Sequence, residues 1–240
     1  MQLFKKNNIH YGKFHQLEKF ANIKHATFFC GKNDLSFHPE EMKSSLNLVK
    51  KTLGFEHFIL PSLCHQNKVK IVESNFENLT LVGPFDGLIS VQKGSTLVIS
   101  HADCQAAIFF DPMRNVIANV HSGWRGNVQN IYKTCVEKMV KTFDCNPQDI
   151  IVCISPSLGP DHSQFVNYRH ELPQSFLPFK ENSNYFNLWK IGEMQLLESG
   201  ILKKNIEFAN VCSFECESKC FSYRRNKTKL RNATLISLLE

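Results

Sequence analysis

Two short stretches concentrate the residue types that do chemistry: His101-Ala102-Asp103-Cys104, and His121-Ser122-Gly123-Trp124-Arg125-Gly126. Cys104 and His121 suit two chemistries equally well. One is metal ligation; the other is a cysteine nucleophile activated by a histidine base. Taken singly, a cysteine in an apolar strand is ordinary core, and a histidine is a surface or hydrogen-bonded core residue. A turn with two glycines beside them changes the weighing, because it lets backbone N–H groups approach a ligand and opens a helix whose N-terminus favours an anion. Arg125 adds a charged, forked donor for that anion. Trp124 suits packing or the stacking of an aromatic ligand. His65, in the polar island Leu63-Cys64-His65-Gln66-Asn67-Lys68, is uninformative by itself.

These residues need elements to hold them. Met42, Leu46, Val49 and Leu53 recur at helical spacing, so a helix is expected from Pro39 to Gly54. Short apolar runs bounded by turns predict strands at Phe58 to Leu60, Val69 to Val72, Leu88 to Val91, Thr96 to Ser100, Ala106 to Phe110 and Val116 to Val120. A longer amphipathic helix is expected over Val128 to Phe143, its apolar stripe explaining Cys135 without chemistry. A strand at Ile150 to Ile154 leads to the loop Ser155-Pro156-Ser157-Leu158-Gly159-Pro160. A helix follows over Leu188 to Ser199 with Gly200 ending it, then strands at Phe221 to Arg224 and Thr234 to Leu238. On that basis Asp103 alternates with Cys104 and takes a structural hydrogen-bonding role, and at most one of Arg224 and Arg225 points into the site. His101 reads as a surface or supporting residue. The expected fold is α+β, a single domain over residues 1–240 with mixed β-sheets packed against helices.

Composition narrows the class. No apolar run reaches the ~18 residues of a membrane span. The net charge of +6 comes from scattered lysines without a basic block, so no nucleic-acid partner is expected. Nine cysteines without a signal-like N-terminus read as reduced thiols in the cytoplasm. The run Cys212, Cys216, Cys220 lacks the close pairs and fourth ligand of a structural zinc site and reads as incidental thiols.

The motifs Ala102-Asp103-Cys104, His121-Ser122-Gly123-Trp124-Arg125-Gly126, Pro156-Ser157-Leu158-Gly159-Pro160 and Ser222-Tyr223-Arg224-Arg225 occur in the order of a known family. The chain resembles the YfiH-type family, formerly called laccase-like or multicopper polyphenol oxidoreductases. Its members are described as purine nucleoside phosphorylases with adenosine deaminase and methylthioadenosine phosphorylase activity. The resemblance implies a catalytic zinc held by His65, Cys104 and His121, with a fourth position open, and zinc is preferred to copper. It also implies purine nucleosides (adenosine, inosine, guanosine, methylthioadenosine) and phosphate as partners, with Arg125 as an anchor for phosphate. Departures from the family's pattern fall at Leu63, Ala106, Asn187 and Leu230. No arginine precedes Arg114, so Lys43, Lys50 or Lys51 would have to supply early positive charge.

The rival readings are a Cys104–His121 hydrolase acting on peptidoglycan-related peptide material, and a metal-binding module without activity. A copper oxidase of phenols would need more clustered histidines than the chain offers.

Overall fold

The computed structural model describes residues 1–28, 35–73 and 78–239. In chain order the strands are β1 (Gln2–Lys6), β2 (Ile9–Lys13), β3 (Ile23–Phe28), β4 (Phe58–Pro61), β5 (Val69–Val72), β6 (Leu79–Val82), β7 (Gly87–Ser90), β8 (Thr96–His101), β9 (Gln105–Asp111), β10 (Val116–Ser122), β11 (Ile151–Ile154), β12 (Ile206–Phe208) and β13 (Asn232–Leu238). The α-helices are α1 (Met42–Leu53), α2 (Trp124–Val128), α3 (Ile131–Phe143), α4 (Tyr168–Glu171), α5 (Leu188–Glu198) and α6 (Tyr223–Asn226).

Seven strands form one sheet in the order β1-β2-β3-β13-β8-β4-β6, and six form another in the order β12-β11-β9-β10-β7-β5. Both are mixed, with antiparallel centres and parallel pairs toward the edges. Side-chain alternation decides how they stack. Along β9, Ala107 and Phe109 join the core under α3, while Ile108 and Phe110 join a second core with Leu97 and Ile236 of the other sheet. Along β13, Ala233 and Leu235 face the opposite way, into a third core with Leu46 and Val49 of α1. The order of layers is therefore α1, sheet, sheet, α3 with α5, which is the α+β arrangement of mixed sheets against helices.

Three local expectations are corrected. The helix expected over Val128 to Phe143 is two helices, because Asn130 takes a left-handed φ of 51° and its side chain caps α3 by accepting from the Lys133 N–H at 3.1 Å. Val128 ends α2 and is 37% exposed, off the buried stripe. Phe221 to Arg224 is no strand: Ser222 Oγ accepts from the Arg225 N–H at 3.2 Å and starts the short helix α6. Asp103 lies in the β8–β9 turn at φ 82°, outside any strand. Gly200, at φ 89°, follows the end of α5 as expected. Cys135 is fully buried, and burial pushes its thiol well above the ordinary range.

The interior also holds titratable groups that must stay neutral. His25 on β3 is 4% exposed and accepts from the Phe14 N–H at Nε2, 2.8 Å away. Burial, helped by the charge of Lys13 and opposed by Glu18 and Glu207, brings its pKa down to about 4. A histidine whose folded pKa lies below its unfolded one leaves its contribution to stability intact above pH ~6.5 and loses it as pH falls through the folded value. The shift corresponds to about 3 kcal/mol. The denaturation midpoint is expected to fall between pH ~6.5 and ~4, and more steeply than in His25→Gln, which keeps an acceptor for Phe14. Equal slopes in the two proteins would contradict this.

Candidate metal centre

β10 carries Ile117, Asn119 and His121 on the side facing the other sheet, and His121 ends that row. The turn between β8 and β9 brings Cys104 alongside it, since Ala106 of β9 pairs with His121 of β10. His65 arrives from the loop between β4 and β5, at a left-handed φ of 56°. Its ring meets His121 edge-on, with centroids 4.9 Å apart. One ligand atom each from His65, Cys104 and His121 lie within 4.8 Å of one another. The three residues singled out before the fold was known are therefore one cluster, drawn from three separate segments.

Gly123 makes the cluster possible. A Cβ there would stand 2.9 Å from Cys104 Sγ, 3.6 Å from His65 and 3.9 Å from His121, so only glycine leaves the thiol its place. The donor set fits a metal: one sulfur and two imidazole nitrogens match a borderline-soft ion, with a position left for water or substrate. Electrostatics agree. Burial pushes the Cys104 thiol up, but the charge of His121 and hydrogen bonds from His121 and His65 outweigh it and bring the thiol down. Burial likewise opposes charge on His121, and Cys104 and Asp86 together hold it above the ordinary value. Without an ion both shifts run toward a thiolate–imidazolium pair.

Asp86 is the residue that sequence reasoning missed. It is fully buried, and one carboxylate oxygen lies 3.0 Å from His121 Nδ1. It also accepts from the His65 and Gln66 N–H groups at 2.9 and 2.8 Å and from the Cys64 thiol at 2.8 Å. Burial would raise its pKa, but the bonds from His121, Cys64 and Gln66 outweigh that and hold it at about 2. A carboxylate on the far nitrogen fixes the imidazole tautomer and leaves Nε2 for the ion. The hint in the sequence is Gly83-Pro84-Phe85-Asp86-Gly87, a turn around an acid at the head of an apolar strand.

The cluster opens on a cavity of about 510 Å³, within the range of small-molecule sites. Trp124, Phe165, Leu158, Leu188 and Tyr223 give it apolar and aromatic walls. Trp124 meets Phe165 edge-on at 5.8 Å. Gln105, also in the lining, is held by the buried Tyr132 hydroxyl at 2.5 Å and by the Leu188 carbonyl at 3.1 Å.

Among the described residues, three cations, Arg224, Lys227 and Arg231, share the lining with a single carboxylate, Asp103. Both Asp103 oxygens are engaged, by the Ser213 hydroxyl at 2.7 Å and the Arg224 N–H at 2.6 Å. Asp103 thus has the structural hydrogen-bonding role expected of it, reached from a turn. Of the two neighbouring arginines only Arg224 lines the cavity; Arg225 donates to the carbonyls of Ser213, Phe214 and Cys220. Arg125 stands outside the lining, exposed, with its guanidinium 4.1 Å over the Trp124 ring. Lys43, Lys50 and Lys51 lie on α1, outside the lining. His101 is buried, with Nε2 3.1 Å from Thr234 Oγ1, and takes no part in the cluster.

Comparison with known proteins adds an independent line. Residues 31–239 match the family described as multi-copper polyphenol oxidoreductase laccase. A protein of Clostridium acetobutylicum named purine nucleoside phosphorylase is 33% identical over 223 residues, covering 87% of this chain and 89% of its own. One of the same name from Haemophilus influenzae is 28% identical over 217 residues, 85% of each chain. Among solved structures, YlmD from Geobacillus stearothermophilus has a TM-score of 0.84 at 22% identity, covering 100% of this chain and 98% of that one; this likeness speaks for the fold alone. By the extent of the family match, the chain belongs to the YfiH-type, laccase-like family.

Proposed function

We propose that the protein is a zinc-dependent purine nucleoside phosphorylase that also deaminates adenosine and cleaves methylthioadenosine, working in the reducing cytoplasm. The observation that carries this reading is the cavity lined at once by the His65, Cys104 and His121 cluster, by aromatic side chains and by three cations against one carboxylate. Aromatic faces suit a purine, and cations suit phosphate. Among the described residues, Cys64, Cys104, Cys135, Cys145, Cys153, Cys212 and Cys216 are free thiols, in keeping with a reducing compartment.

In phosphorolysis a phosphate oxygen attacks the ribose C1′, the bond from C1′ to the purine nitrogen breaks with its electrons leaving on the purine, and a proton must reach that base. Arg224, Lys227 and Arg231 hold and orient the phosphate. Trp124, Phe165 and Tyr223 hold the base. Bound at His65, Cys104 and His121, zinc would supply a Lewis acid able to polarise a substrate group or to make water nucleophilic near neutral pH. Asp86 keeps His121 in the ligating tautomer. Arg125, stacked on Trp124, positions that ring.

A second reading has its own support, the thiolate and imidazolium character of Cys104 and His121, which would suit a hydrolase of peptide material. One experiment separates the two: adenosine, inosine, guanosine and methylthioadenosine are each offered to the purified protein with and without phosphate. Free base and a pentose 1-phosphate are expected only when phosphate is present, while adenosine is also converted to inosine without it. Absence of phosphate-dependent base release from all four would overturn the phosphorylase assignment.

A further inference from the structure

A second cluster of ligating atoms lies away from the cavity lining, where Cys212 sits in the irregular segment between β12 and α6. His162 Nε2 is 3.0 Å from Glu215 Oε1, and one ligand atom each from His162, Cys212 and Glu215 lie within 4.8 Å of one another. We propose that these three side chains form a second transition-metal site, fitted to zinc, that clips the turn at Cys212 to the loop at Gly159.

Several features favour an ion over a plain surface ion pair. Zinc bonds of about 2.0–2.3 Å in a tetrahedral array set ligand atoms roughly 3.5 Å apart, so the cluster closes on an ion with side-chain adjustment alone. One sulfur, one imidazole and one carboxylate are the donor types zinc takes. The thiol is held in a built recess. Gly159 donates its N–H to Cys212 Sγ at 3.2 Å, and a Cβ on Gly159 would sit 3.0 Å from that sulfur. The imidazole is preset too, its ring stacked on Phe214 with centroids 4.0 Å apart. A hydrogen-bonded histidine and glutamate on the surface would contribute little and would need no cysteine. No cysteine spacing reveals this set, because His162 comes from a turn about fifty residues upstream and Glu215 lies between Cys212 and Cys216.

The site would act on the cavity wall without touching substrate. Ser213, next to Cys212, donates its N–H to the Ser157 carbonyl at 3.0 Å and its hydroxyl to Asp103 at 2.7 Å. Ser157, Leu158 and Asp103 all line the cavity. An ion on Cys212 would hold this wall in one arrangement, as metal clips do in irregular segments that lack sheet or helix support.

The test uses Cys104→Ser, which disables the first cluster, so that its result does not depend on the proposed enzymatic activity. After chelation and dialysis, this variant is titrated with zinc, and separately with cobalt(II). One ion per chain is expected, with a cobalt–thiolate charge-transfer band and a higher melting temperature; adding Cys212→Ser abolishes all three. Glu215→Gln, at an exposed position that does not endanger folding, should weaken binding by roughly tenfold or more, and it decides the matter should the double variant fail to fold. Absence of ion binding by Cys104→Ser, or binding unaltered by Glu215→Gln or by Cys212→Ser, would overturn the proposal.

Discussion

Cys104→Ala is expected to lose one metal ion per chain and at least about a thousandfold in kcat/KM toward nucleosides, on the order of 4 kcal/mol of transition-state stabilisation. The fold should survive, because Cys104 sits in a turn at the mouth of the sheets and its removal takes no side chain from the inter-sheet core. His121→Ala should behave alike. Asp86→Asn is the graded companion: it keeps the volume and an acceptor for the backbone N–H groups but removes the charge facing His121, so metal affinity should fall by about 10–100-fold. Metal content by elemental analysis and activity with inosine and phosphate measure both effects. Thiol alkylation separates the rival mechanism. A metal-ligated Cys104 should resist alkylation until a chelator is added, with Cys135 slow throughout because it is buried. Rapid labelling of Cys104 in the metal-loaded protein, with activity falling in step and indifferent to chelators, would sink the metalloenzyme reading and favour a cysteine nucleophile.

That the residues of this cluster could be named beforehand owes little to spacing. Cys104 and His121 stand out because a glycine turn accompanies them, but His65 is an ordinary histidine in sequence and was reached through family resemblance. Elements with continuous apolar runs were legible: β9 and β10 bury both faces between a helix and a second sheet, so their runs admit few readings. β1 was not, since it is an edge strand with four of its five residues exposed and hence no pattern to read. β3 hides because two of its inward residues are His25 and Thr27, polar side chains that the burial pattern overrides. Helix α6 starts at Tyr223 within Phe221-Ser222-Tyr223, where aromatic residues argue for a strand and one serine cap decides otherwise. Asp86 was invisible for a different reason: its meaning comes from His121, 35 residues away across the sheet. The same holds for the cationic lining, which the early lysines were expected to supply and which comes instead from Arg224, Lys227 and Arg231 at the other end of the chain.

That reassignment sets the last expectation. If Arg224 and Arg231 hold the attacking phosphate, then replacing either by alanine should cost phosphorolysis about 2–4 kcal/mol, roughly 30- to 1,000-fold in kcat/KM, while adenosine deamination, which uses no phosphate, falls far less. Arg224 is the cleaner of the two. Its bond to Asp103 comes from the backbone N–H and survives substitution, and among the described residues its guanidinium donates to the Gln164 carbonyl at 3.3 and 3.4 Å. Arg231 also donates to the Thr228 and Leu230 carbonyls at 2.9 Å, so part of its effect would come through the loop before β13. Arg125→Ala should differ in kind. Standing outside the cavity on the Trp124 ring, it can reach the substrate only through that ring, and both reactions should weaken together, by about tenfold or less if its stacking is worth ~1 kcal/mol. The ratio of phosphorolysis to deamination is the informative readout, because it cancels differences in active protein between preparations. A ratio that drops in Arg125→Ala and holds in Arg224→Ala would move the phosphate to the turn at Gly123 and away from the C-terminal cations.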